Sequence, residues 1–199
     1  MLRRRSIAQG LAVDEFNFLF SLFGLLLGFA IAEVVGAFGR AFRAEEGVHV
    51  GWLTPLLGLS VLIDIASFWL SVWEMRGGIH AHMAAVLVGL VFCGGYYLIA
   101  LQATPPDDAR WRDFDAWYWR VKVRVLAGLL AINLSIFVLQ ALVIAHQRIG
   151  ITPYAVANTV YLTLLAGIIV ARGKRLNIGL LALNVALFGA SALYGAMQR

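Results

Sequence analysis

The stretch "LSVLIDIASFWLSVWE", Leu59–Glu74, decides how the chain is read. It is apolar throughout except for three serines, one acid near its middle, Asp64, and a second acid, Glu74, at its end. A run this long and this apolar matches a helix in lipid, where about 20 mostly apolar residues cross about 30 Å of hydrocarbon. The rest of the chain agrees. Of 199 residues, 61% are hydrophobic and 14% charged, against about 25% charged in a soluble domain.

Working outward, six segments have the composition of a span: residues 16–38, 52–74, 83–103, 121–145, 152–171 and 176–197. The runs 77–106, 125–147, 149–171 and 176–198 contain no Asp, Glu, Lys or Arg. Barrel strands would instead alternate over about ten residues. Helices satisfy every backbone group internally, as lipid demands. The expected fold is therefore an all-α integral membrane protein, a bundle of six transmembrane helices forming one domain over residues 1–199.

Most connections are short, which makes successive helices antiparallel. The longer one, "TPPDDARWRDFDAWYWR", begins with Pro105 and Pro106, which end helix three. Asp107 or Asp108 is placed to cap a new helix. Trp111, Phe114, Trp117 and Tyr118 then recur at three- and four-residue spacing. That pattern predicts a short amphipathic helix near 108–120, lying at the lipid interface before helix four and running into it.

The formal net charge is +5. The basic residues sit at the ends of apolar runs, so the partner is the lipid bilayer and not nucleic acid. Six spans place both termini on one side, with six Lys and Arg on that side and ten on the other. The positive-inside rule then puts both termini outside. A bacterial cytoplasmic (inner) membrane is the expected location. The N-terminus starts like a signal peptide, basic then apolar, but the apolar run is longer than a signal's 7–15 residues. It reads as a retained first span.

On the second span, Ser60, Asp64, Ser67, Ser71 and Glu74 fall at four- and three-residue spacing and share one helical face. Trp69 and Trp73 lie on the opposite face, toward lipid or a partner helix. Asn177, Asn184, Ser191 and Gln198 recur every seven residues on the sixth, and Asn133, Gln140 and Gln147 do so on the fourth. Asn158 sits beside Tyr154 and Tyr161 on the fifth. Asp64, Asn133 and Asn184 are each near mid-span. Polar groups at that depth usually face the bundle interior, so these three are expected to share a region.

No Lys or Arg lies mid-span to pair with Asp64. The acid must be neutral, hydrated, or held by Asn and Ser donors. This opens two readings. One is a proton- or ion-linked transporter or channel using Asp64, with the polar stripe, Asn133, Asn158, Asn184 and Glu33 of the first span along the path. The other is a structural hydrogen-bond hub in a non-catalytic scaffold or accessory subunit of a homo-oligomer or larger membrane complex. Gly24, Gly28, Ala32 and Gly36, four residues apart, give helix one a small-residue face for close packing.

A third reading, a haem or metal redox protein, would use His80, His82 and His146, which the six-span topology puts on one side. No HExxH or CxxCH accompanies them, so no cofactor is expected. GxSxG and Walker sequences are absent too, and an enzyme is not expected. One cysteine, Cys93, excludes an intramolecular disulfide.

Overall fold

The computed structural model describes residues 2–43, 51–75, 81–106, 113–147 and 153–197, with side chains described for 16–41, 43, 51–73, 75, 81–106, 113–141 and 155–190. Among the described residues every regular element is a helix: α1 (Leu2–Phe42), α2 (Leu53–Glu74), α3 (Met83–Ala103), α4 (Phe114–Gln147), α5 (Pro153–Val170) and α6 (Lys174–Met197). Four of them hold stretches long and apolar enough to cross a membrane: Phe16–Ala41, Leu53–Trp73, Met83–Ala103 and Phe114–Ala141. The apolar part of α5, Ala155–Val170, is shorter.

The helix ends follow from local chemistry. Thr104 is extended (φ −112°, ψ 142°) at the end of α3, because the residue before a proline avoids helical backbone. His82 caps the start of α3, its Nδ1 accepting from the Ala85 N–H at 3.1 Å. Pro153 opens α5 at the first helical position, where its missing N–H is no loss. Asp113 caps α4, accepting from the N–H groups of Asp115 (2.9 Å) and Ala116 (3.3 Å). The start of α2 has no side-chain cap from its own residues. Its Leu53 N–H instead donates to Asp115 Oδ1 of α4 at 3.0 Å.

One expectation gains detail here. Residues 114–120 are the first turns of α4 and continuous with it; on them Tyr118 is fully buried, whereas Trp119 is 40% exposed. Of the spaced aromatics, Tyr118 packs inside the protein, while Phe114 and Trp117 are half-buried. The earlier part of the expected helix, with Asp107, Asp108 and Trp111, lies outside the described residues.

The helices close around α2. It packs on α1, α3, α4 and α6, while α3–α4, α4–α5 and α5–α6 complete the circuit, and α1 lies mainly along α3. The core runs through all six helices, from Leu27 and Val34 of α1 to Leu181 of α6. The outer surface is also apolar, with Leu25, Phe29, Val91 and Val170 more than half exposed, as lipid contact allows.

The tryptophan face of α2 meets α1: the Trp69 ring centroid is 4.0 Å from that of Phe20, and Trp73 lies 5.9 Å from Phe16. A Cβ at Gly24 would stand 2.4 Å from the Trp69 ring, whereas one at Gly28 would meet nothing within 4 Å. The small-residue face is therefore split. Steps of four residues drift by about 40° around a helix of 3.6 residues per turn. Past Gly24 the stripe leaves α2: Gly28 and Ala32 are exposed, and Gly36 is half-buried.

Gly24→Leu should therefore destabilise the monomer by about 1–3 kcal/mol through overpacking. Gly28→Leu should leave monomer stability within about 0.5 kcal/mol. Denaturant melts in detergent measure both; equal losses would contradict this packing.

Candidate functional site

Asp64 lies eleven residues into α2 and is 1% exposed. Three side chains from three other helices donate to it. Tyr161 Oη of α5 reaches Oδ1 at 2.9 Å, while Tyr96 Oη of α3 and Asn133 Nδ2 of α4 reach Oδ2 at 3.1 and 2.9 Å. The Asn133 amide also donates to the Leu129 carbonyl one turn back, at 2.9 Å. Each donor is set by its surroundings. The Tyr96 ring packs on Phe68, with centroids 5.2 Å apart, and the Tyr161 ring meets Phe188 of α6 edge-on at 5.0 Å. Among the described residues, no Cα of α5 comes within 8 Å of one in α2. The length of the Tyr161 side chain makes that connection.

Both carboxylate oxygens are in use, and all three neighbours donate, the pattern an acceptor-only carboxylate takes. Each tyrosine hydroxyl can also accept, so the cluster has partners for a protonated acid as well. Chemically it can do two things: hold four helices in register, or hand a proton between Asp64 and a tyrosine.

The remaining residues of the polar stripe do less. Ser60 is buried and donates to the Leu56 carbonyl (2.9 Å), and Ser71 donates to the Ser67 carbonyl (3.0 Å). Both satisfy themselves on their own helix. The Glu74 side chain lies outside the described residues. Asn158 is half-buried, one turn from Tyr161. Glu33 does not join Asp64: its Oε1 pairs with Arg40 Nη2 at 3.3 Å and accepts from Thr104 Oγ1 at 3.4 Å. Asn184 is 1% exposed, yet among the described residues neither its Oδ1 nor its Nδ2 has a hydrogen-bond partner. Of the three mid-span residues expected to meet, Asp64 and Asn133 are in direct contact and Asn184 is not bonded to either. His82 is exposed at the helix cap, while His80 and the side chain of His146 lie outside the described residues.

A second polar cluster joins the start of α4 to the turn between α5 and α6. Asn177 Oδ1 accepts from Tyr118 Oη at 2.6 Å and from Lys122 Nζ at 3.0 Å, and its Nδ2 donates to the carbonyls of Ala171 (3.1 Å) and Gly173 (2.8 Å). Lys122 Nζ also donates to the Ala171 carbonyl and sits 5.0 Å from the centre of the Trp119 ring. Asp115, besides capping α2, pairs with Lys174 at 2.7 Å, and that pair holds the Lys174 ammonium above its ordinary pKa. The backbone carbonyl of Phe114 accepts from Thr54 Oγ1 of α2. None of Tyr96, Tyr118, Lys122 or Asp115 stood out in the sequence as a site residue. The available signals were a tyrosine in the apolar "CGGYYLIA" and a lysine just inside the fourth span.

Hydrogen bonds between buried helices contribute about 0.6 kcal/mol on average and up to about 1.7. Tyr96→Phe and Tyr161→Phe should each cost about 1 kcal/mol. In an Asp64→Val background, where the acceptor is gone, both changes should be close to neutral. A double-mutant cycle by unfolding in mixed micelles measures the difference; additive losses would show that the tyrosine hydroxyls stabilise independently of Asp64. Compared with known protein families, curated proteins and solved structures, the chain matches none of them.

Proposed function

We propose that the protein is a six-span integral membrane bundle, a single domain, that serves as a non-catalytic scaffold or accessory subunit through its outer helix faces. In this reading α5 and α6 complete the spans, and both termini face outward, opposite the side richer in Lys and Arg. The observation that carries it is the closure of Asp64, which is 1% exposed with donors from α3, α4 and α5 on its two oxygens. A group so placed suits a rigid bundle, because moving any one helix would break a bond that lipid cannot replace. The Gly28 and Ala32 face of α1 supplies an exposed surface on which another helix can approach closely.

Transport through Asp64 is the second reading, and Asn184 favours it. A buried amide with neither group bonded is rare in a finished structure. It would gain partners from a passing polar species or in a second arrangement of the helices.

The two readings separate in experiment. For the scaffold, Gly28→Leu breaks a complex seen by sizing in mild detergent, and proteoliposomes carry no pH-dependent flux. A flux that Asp64→Asn abolishes in a still-folded protein would overturn the scaffold in favour of transport. Asn184→Leu adds an independent check. Replacing an unbonded buried amide with an apolar side chain is neutral or stabilising in a scaffold, whereas a transporter would lose flux.

A further inference from the structure

We infer that the hairpin of α5 and α6 binds an anionic phospholipid, with its headgroup on Arg172 and Arg175 and an acyl chain in the groove between the two helices. The groove is open, about 400 Å³, and lined by Thr159, Thr163 and Gly167 of α5 and Leu180, Leu183 and Leu187 of α6, among others. It runs along the helices for about 12 Å, the rise from Thr159 to Gly167. Gly167 gives it depth: a Cβ there would meet nothing within 4 Å. The lining is largely apolar, and its two threonine hydroxyls are spent on carbonyls of their own helix, which suits an acyl chain and offers little to a polar ligand.

The charge sits at one end of this groove. Arg172 is five residues beyond Gly167, and Arg175 is five residues before Leu180, so the two flank the turn that heads the groove. Both are exposed, and among the described residues neither makes an ion pair. Lys174, between them, is already paired with Asp115. The turn itself is held from inside. Lys122 and Asn177 bond to the Ala171 carbonyl, and Asn177 also bonds to that of Gly173. With the turn fixed, both arginines are carried on an ordered backbone between the two helices that line the apolar slot. Trp119, 40% exposed and stacked near Lys122, places an aromatic ring at the same level, as at a membrane interface. Guanidinium recognises phosphate with paired N–H donors, and basic sites between transmembrane helices take anionic headgroups. Zwitterionic lipid fills the groove equally well but brings no net charge to the arginines.

Native mass spectrometry of the full chain in detergent tests this, with phosphatidylglycerol and phosphatidylcholine of identical acyl chains as probes. Phosphatidylglycerol should bind about tenfold more tightly, a difference of about 1.4 kcal/mol. The double variant Arg172→Gln/Arg175→Gln should erase the preference while retaining the wild-type melting temperature. Gly167→Phe, which fills open space, should weaken both lipids alike. Equal binding of the two lipids by the wild-type chain overturns the proposal, as does a preference that survives loss of both arginines. Glycerophosphoglycerol binding as tightly as the intact lipid would mean a free anion site without an acyl chain. A dimer that Gly167→Phe abolishes would mean that a second copy occupies the groove.

Discussion

A carboxylate in an apolar bundle has no water to fall back on, so the protein must supply its partners. Asp64 is answered by two tyrosines and an asparagine on α3, α4 and α5, and the rest of the interior is arranged around that requirement. Phe68 and Phe188 position the two tyrosine rings, and α2 becomes the helix on which four others pack. Leaving any of these polar groups unpaired in a buried site would cost about 1–3 kcal/mol. That penalty turns a local chemical need into a constraint on the placement of four helices.

A second polar layer, near the starts of α4 and α6, works differently. There the buried groups satisfy backbone. Asp115 serves a free N–H at the start of α2, while Lys122 and Asn177 serve the open carbonyls at the end of α5. Helix ends always leave such groups unsatisfied, and with short connections a neighbouring helix is the nearest source of partners. The two layers differ in consequence. The Asp64 layer fixes how the helices face one another, and the outer layer fixes how the α5–α6 turn presents its arginines.

Much of the architecture was legible in the sequence, because the solvent dictates it: long apolar stretches show in composition, and Pro105 and Pro106 show where the third helix ends. Depth and face also brought Asp64 and Asn133 to one region, since both can be counted along a helix. Tyr96 and Tyr161 were harder. Tyrosine is common in apolar helices, and nothing in its spacing tells whether its hydroxyl meets an acid or lipid. Residues 114–120 show a related limit: an aromatic face reads alike whether it lies on lipid or on protein, and spacing does not single out Tyr118 as the buried ring. The glycine stripe of α1 shows the same gap. Spacing defines the face, but the drift of a four-residue repeat decides which of its members meets Trp69.

The sequence by itself determined that the chain is helical and apolar, with long stretches suited to crossing a membrane and a single acid near the middle of its second span. These follow from composition and period, which are properties of each segment taken alone. The tertiary structure decided which groups answer that acid, that Asn184 is buried with no partner among the described residues, and that the two helices joined by the turn of Arg172 and Arg175 line an apolar groove. Those depend on the rotation of each helix about its axis and on the reach of side chains between helices. Neither is encoded in any one segment, because both are set by how six helices pack at once.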